Sequence, residues 1–122
     1  TLIMPEKNNL PYVHWATRKM LWEMTDYGID AYYQPPPFAH TKLFLVDDFY
    51  AQVGSANLDP RSLRLNFELN VEVFDRVLVQ RLTDYTESIR RQSRTITSRE
   101  LEARPLPVRT RDALAWLFSP YL

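Results

Sequence analysis

The stretch from Ala39 to Val53 constrains this chain more than any other. It holds two apolar runs, Ala39 to Val46 and Phe49 to Val53, with Asp47-Asp48 between them. Runs of that length around an aspartate pair read as two strands of a tight hairpin. In the first run, Leu43 and Leu45 take one face and Phe44 and Val46 the other. That pattern predicts a central strand, buried on both sides. A strand of this kind belongs in a layered fold with helices packed on a sheet.

The flanking segments supply those layers. Two glycines and nine prolines punctuate the chain. Pro11 suits the first position of a helix. Val13, Ala16, Met20, Met24 and Tyr27 follow at helical spacing, and Gly28 is a natural stop. Ile29 to Gln34 reads as a short strand, followed by the rigid link Pro35-Pro36-Pro37. Gly54 to Leu65 reads as a loop, with Asn57, Asp59 and Pro60 as turn formers. Phe67, Leu69, Val71 and Val73 alternate with polar residues, predicting a strand. A long helix is expected over Arg76 to Ile96. Thr97 and Glu100 have the spacing of a capping box before a short helix, and Pro107 to Phe118 reads as a last helix. The expected fold class is α/β, a mixed β-sheet flanked by helices. Thr1 to Pro5 resembles the end of a strand already under way, so the sequence reads as a piece of a longer protein.

Composition narrows the functional classes. The 122 residues are 45% hydrophobic, enough for a real core. Without cysteine, disulfides and cysteine-ligated metals are excluded. A net charge of zero gives no bulk attraction to nucleic acid. The charge is uneven, though. Residues 81 to 111 hold eight arginines against four acids. Such a surplus suits either a solvated helix face or contact with anionic lipid. No apolar run approaches the roughly 18 residues of a membrane span.

The chemistry-bearing residues cluster around the hairpin. His40 and Lys42, two apart, are expected on one face of the first strand. A buried lysine needs an anionic partner, and a histidine beside it adds a nucleophile or proton carrier. Together they suit a phosphate group. Asp47, at an odd separation from His40, is expected to hold the turn instead. Gly54-Ser55-Ala56-Asn57 follows. Its small residues let backbone approach a ligand, and Ser55 and Asn57 can donate to phosphate oxygens. Asn66, Glu68, Asn70 and Glu72 share one strand face; Glu68 can orient and charge-stabilise a histidine ring. His14 lies off the apolar stripe of the first helix and reads as a surface residue. Trp15, Trp22 and Trp116 suit helix packing or an interfacial anchor.

His40, Lys42, Asp47, Gly54, Ser55 and Asn57 together match the signature of the phospholipase D superfamily. Residues 54 to 68, reading GSANLDPRSLRLNFE, and the ending LFSPYL further resemble the cardiolipin synthase branch. The resemblance runs over nearly the whole chain and is strongest from His40 to Asp75. It implies a fold built from two such motifs, of which this chain carries one. Residues 1–122 are then a C-terminal catalytic half-domain. The other motif would come from the N-terminal half of the same enzyme or from a second copy.

What the resemblance implies chemically is phosphatidyl transfer through a covalent phosphohistidine. His40 is the nucleophile or the general acid and base; Lys42, Asn57 and Ser55 hold the phosphate; Glu68 orients the histidine. The substrate implied is phosphatidylglycerol and the product cardiolipin, with no cofactor, no metal and no nucleic acid. The implied setting is an anionic membrane surface for the parent enzyme and a soluble state for this piece. Two other readings stand beside it. One is a homodimeric nuclease or phosphodiesterase of the same superfamily, suggested by the single motif. The other is an inactive half-domain that binds phosphate or anionic lipid.

Overall fold

The computed structural model describes residues 1–7, 11–37 and 39–118. In chain order the elements are β1 (Leu2–Pro5), α1 (Pro11–Asp26), β2 (Ala31–Gln34), β3 (Lys42–Val46) and β4 (Tyr50–Gly54). Then come α2 (Pro60–Arg64), β5 (Asn70–Val73), α3 (Arg76–Gln92), β6 (Arg94–Ile96), α4 (Ser98–Glu102) and α5 (Leu106–Leu117). The class is mixed α/β, as expected. The strands divide between two three-stranded sheets, ordered β1-β2-β6 and β3-β4-β5. The chain forms two compact units, Thr1–Ala39 with Ser93–Leu122, and His40–Gln92.

In the first unit α1 carries the chain from β1 to β2, which pair in parallel with Leu2 opposite Ala31 and Pro5 opposite Gln34. Parallel neighbours need a crossover of this kind. Gly28 ends the helix with φ of 79°. Its N–H bonds the Thr25 carbonyl at 3.1 Å, and the Ile29 N–H bonds Met24 at 3.0 Å. This is a Schellman stop, which glycine makes without a Cβ penalty. β6 lies antiparallel on the other side of β2, Ile96 opposite Ala31. Leu21, Ala31, Tyr33, Ile96 and Leu101 form the core, with Leu2, Met4 and Trp22 packed against it. Asp112 on α5 is buried and ion-paired to Arg104 and, at 2.7 Å, to Arg111. A buried carboxylate of this kind holds its place only with such partners. The Arg111 guanidinium lies 4.3 Å from the Trp15 ring centre, and Lys19 lies 4.5 Å from Trp22. Trp22 takes the packing role, against the core.

The second unit is a meander with α3 against it. β3 and β4 pair from Lys42–Gly54 to Val46–Tyr50 around the turn 47–49. Asp47 sits in that turn with φ of 51°, a region aspartate tolerates better than most residues. β5 pairs with the other side of β4. Val79 of α3 and Ala51 of β4 are fully buried.

Four expectations need correction. β3 is not a central strand: among the described residues it pairs with β4 alone, and Phe44 is 59% exposed. Apolar residues on both faces report what a strand would bury, not what covers it here. The expected helix over Arg76 to Ile96 stops at Gln92, and Arg94–Ile96 becomes β6. Pairing with β2 buries Ile96, and that tertiary gain overrides local preference. The expected loop 54–65 contains α2, with Pro60 in its first turn and Asp59 as N-cap, accepting from Ser62 N at 2.9 Å. The strand expected from Phe67 begins only at Asn70. β4 ends at Gly54, so one further bond, Ser55 N–H to the Leu69 carbonyl at 3.0 Å, closes the pairing.

Candidate active site

One rung of the second sheet gathers the motif. Lys42 of β3 pairs with Gly54 of β4, and Gly54 with Asn70 of β5. Because the strands are antiparallel, the segments 40–41, 55–57 and 66–69 all continue from the same end of the sheet. Five residues scattered over 29 positions of sequence are thereby brought to one edge: His40, Lys42, Ser55, Asn57 and Glu68. Glycine is required at the centre of the rung. A Cβ on Gly54 would lie 2.0 Å from Asn70 Oδ1 and 2.4 Å from the Leu69 carbonyl oxygen.

His40 is exposed and lies just ahead of β3, so the strand does not itself set its face. Lys42 Nζ donates to the His40 carbonyl oxygen at 2.7 Å. This ties the ammonium to the histidine's own backbone. Partial burial lowers the Lys42 pKa, and the charge of Glu68 works in the opposite direction. The ammonium and the carboxylate thus sense one another across the rung.

Glu68 is the most tightly held member. Ser55 Oγ donates to its Oε2 at 2.5 Å, and Asn66 Nδ2 to its Oε1 at 3.2 Å. The Leu69 N–H donates to Ser55 Oγ at 3.0 Å, fixing the hydroxyl from behind. The bonds from Ser55 and then Asn66 hold the Glu68 carboxyl below its ordinary pKa, assisted by Ser62 and by the Lys42 charge and opposed by burial. Arg61 Nε in turn donates to Asn66 Oδ1 at 3.3 Å. Asn57 Nδ2 donates to the Oγ of buried Ser62 at 3.5 Å, using one of its two amide hydrogens.

Asp47 lies in the hairpin turn, at the opposite end of β3 from Lys42. The turn role expected for it agrees with this position. Glu72 is likewise taken up structurally, accepting from the Tyr50 hydroxyl at 2.9 Å. Sequence reasoning put Asn66 on one strand face with Glu68 but gave neither it nor Ser62 a role; they brace Glu68 and Asn57. Asn66 carried a legible signal: two positions from Glu68, it could reach the same carboxylate. Ser62 carried none, because its role depends on the helix α2. Among the described residues, no group of three or more histidine or acidic side chains is placed to hold a metal ion.

The family model for the cardiolipin synthase PLD-like domain matches residues 1–90. The chain belongs to that family. It is 36% identical to a cardiolipin synthase 1 of Staphylococcus epidermidis, over 99% of this chain and 25% of that protein. It is 35% identical to the major cardiolipin synthase of Bacillus subtilis strain 168, with the same coverage. A cardiolipin synthase 1 of Staphylococcus aureus strain COL is 37% identical over 99% of this chain and 24% of its own length. This PLD-like domain therefore spans about a quarter of the length of the relatives it matches.

Proposed function

We propose that this chain is the C-terminal catalytic half-domain of a longer cardiolipin synthase, working on phosphatidylglycerol. The observation that carries the reading is the rung Lys42–Gly54–Asn70, which sets a cation, a braced carboxylate and two phosphate-compatible donors at the edge where His40 emerges. The matches to named synthases support the reaction class.

In this reading one motif histidine attacks the phosphorus of phosphatidylglycerol. The phosphorus–oxygen bond to the headgroup glycerol breaks as the phosphorus–nitrogen bond forms. The second histidine gives its proton to that leaving glycerol oxygen. It then takes a proton from a hydroxyl of a second phosphatidylglycerol, whose oxygen displaces the histidine nitrogen. Cardiolipin and free glycerol result, and both histidines return to their starting state. Splitting the displacement in two lowers the barrier of each step. Lys42 and Asn57 stabilise the charge that builds on the non-bridging oxygens. Glu68, as the resemblance implies, orients a motif histidine by accepting from a ring N–H. Ser55, whose hydroxyl hydrogen points to Glu68, must turn from it to reach a phosphate oxygen; otherwise its role is to brace Glu68.

The partner is the half that carries the other motif, in the same longer protein or in a second copy, and the working surface is an anionic membrane. No described helix is long and apolar enough to cross a membrane, so in this reading the chain meets lipid at its surface. The test is phosphatidylglycerol turnover followed by mass spectrometry, using the full-length protein and this chain in a dilution series. Cardiolipin formed by the full-length protein and lost in His40→Ala is the expected result. Normal turnover in His40→Ala overturns the reading. Product from this chain alone, falling more steeply than linearly on dilution, identifies a second copy as the partner.

A further inference from the structure

The first unit contains a polar cavity that the reaction above does not use. Its volume is about 260 Å³, just under the ~300 Å³ at which pockets begin to hold drug-sized ligands. Basic side chains line it, His14 and Arg18 from α1 and Arg104 from the segment after α4. Glu6, Glu100 and Arg94 line it as well. Arg94 pairs with Glu100 at 2.8 Å and with Glu6 at 3.8 Å. Tyr33 of β2 lines the cavity too. Its ring lies 5.3 Å from the Arg94 guanidinium and 6.1 Å from the His14 ring.

The charged side chains of the lining differ in how they are satisfied. Arg94 has two carboxylates, and Arg104 is tied to Asp112 and to the Leu101 carbonyl. Among the described residues, Arg18 has the neutral Tyr33 hydroxyl as its hydrogen-bond partner and no carboxylate pairs with it. Burial and the charges of Arg18, Arg111 and Arg104 depress the His14 pKa, opposed by Asp112. The guanidinium groups of Arg18, Arg111 and Arg104 all lie close enough to act on His14, so this part of the lining is rich in positive charge. An anion set against Arg18 would gain a charge-assisted bond that the protein does not itself supply. Groups carried beside that anion would meet the oxygens of Glu6 and Glu100, which accept from hydroxyls.

We infer that this cavity is a binding site for a small phosphorylated polyol, its phosphate on Arg18 and His14 and its hydroxyls on Glu6 and Glu100. The same chemistry occurs in a free ester and in a phospholipid headgroup. The site lies wholly within the first unit and is independent of the reaction proposed for His40.

The experiment is a residue-resolved NMR titration of this chain with three probes: sn-glycerol 3-phosphate, inorganic phosphate and monomeric dihexanoyl phosphatidylglycerol. Saturable shifts at Arg18, Tyr33, Arg94 and Glu100 are expected with glycerol phosphate. Arg18→Gln should weaken binding about tenfold, the size of one charge-assisted bond. Arg18→Lys should recover part of that loss, and His40→Ala should change nothing. Glu6→Gln should weaken glycerol phosphate and leave inorganic phosphate untouched, which keeps the test open should Arg18→Gln not fold. Binding of the short-chain lipid as well as the free ester assigns the site to a headgroup; binding of the ester alone assigns it to a soluble ligand. No saturable shifts at these residues with any probe overturns the inference. So does an affinity that a folded Arg18→Gln leaves unchanged, or a Glu6→Gln effect equal for phosphate and glycerol phosphate.

Discussion

In the unit built from residues 1–39 and 93–122, Leu21, Ala31, Tyr33, Ile96 and Leu101 close around a core. Among the residues of 40–92 whose burial is described, only Ala51, Val79 and Ser62 are buried, while Phe67 and Leu69 stand 108% and 75% exposed. The second unit nevertheless holds every residue of the superfamily signature. Its site is held by hydrogen bonds: Lys42 to His40, Ser55 and Asn66 to Glu68, Asn57 to Ser62. The first unit owes its form to apolar packing, a term roughly proportional to buried area. The contrast teaches that the site's geometry is set locally, by one rung and its bonds, and needs little core beneath it. Phe67 and Leu69, exposed on either side of Glu68 in sequence, are side chains that the proposed half-domain would turn to its partner.

The largest effect expected concerns chemistry. His40→Ala in the full-length protein should reduce phosphatidylglycerol turnover by about 10²–10⁴-fold, the usual worth of a placed acid-base group. Tyr27→Ala, an exposed side chain of the first unit, should leave turnover unchanged. Equal losses from both would break the assignment of chemistry to the second unit. The next effect concerns stability. Leu21→Ala, at a fully buried core position, should cost about 3 kcal/mol in denaturant unfolding. Phe67→Ala should stay within about 0.5 kcal/mol. A large loss from Phe67→Ala would mean that its ring is covered in solution, most simply by a second copy, and the loss would then depend on protein concentration.

The same contrast governs what could be read beforehand. Elements of the first unit announce themselves: Pro11 opens α1, Gly28 closes it, and Thr97 caps α4 by accepting from Glu100 N at 3.2 Å. In the second unit, spacing along the chain indicated which residues act together, because strand pairing repeats every two residues. What escaped reading depends on partners distant in sequence. β6 exists because β2 offers an open side, more than 60 residues earlier. β3 read as a central strand because nothing in its own sequence reports who its neighbours are. His14 read as a surface residue because the turns that bring Arg104 and Tyr33 to it are tertiary.

Gly54→Ala tests the rung itself. The new methyl would meet backbone atoms of Leu69 and Asn70, which cannot rotate away as a flexible side-chain end can. A cost of about 1–3 kcal/mol is expected, as for other overpacked sites. Hydrogen exchange should locate it. Amides of β4 and β5 should lose protection, while those of α1 and β2 keep theirs. Uniform loss over both units would mean that they unfold as one, and the division of labour drawn above would fail.

The smallest effects are in pH, and they separate the units again. His14 has a folded pKa below its ordinary 6.5. The unfolded chain therefore binds that proton more readily, and the stability from neutral His14 is complete above 6.5 and falls as pH drops towards the folded value. Glu68 has a folded pKa below its ordinary 4.5. Its contribution is present above 4.5 and is lost only as pH falls through the depressed value. Acidification should thus weaken the first unit before the second. His14→Gln should flatten the pH dependence of α1 amide protection just below 6.5, leaving the β4–β5 amides as they were. Ser55→Ala removes the largest cause of the Glu68 shift, so the carboxyl should titrate nearer 4.5 by NMR while α1 is unaffected. If His14→Gln moved the β4–β5 profile instead, the acid sensitivity would be shared between the units, and the independence of the cavity from the motif would have to be given up.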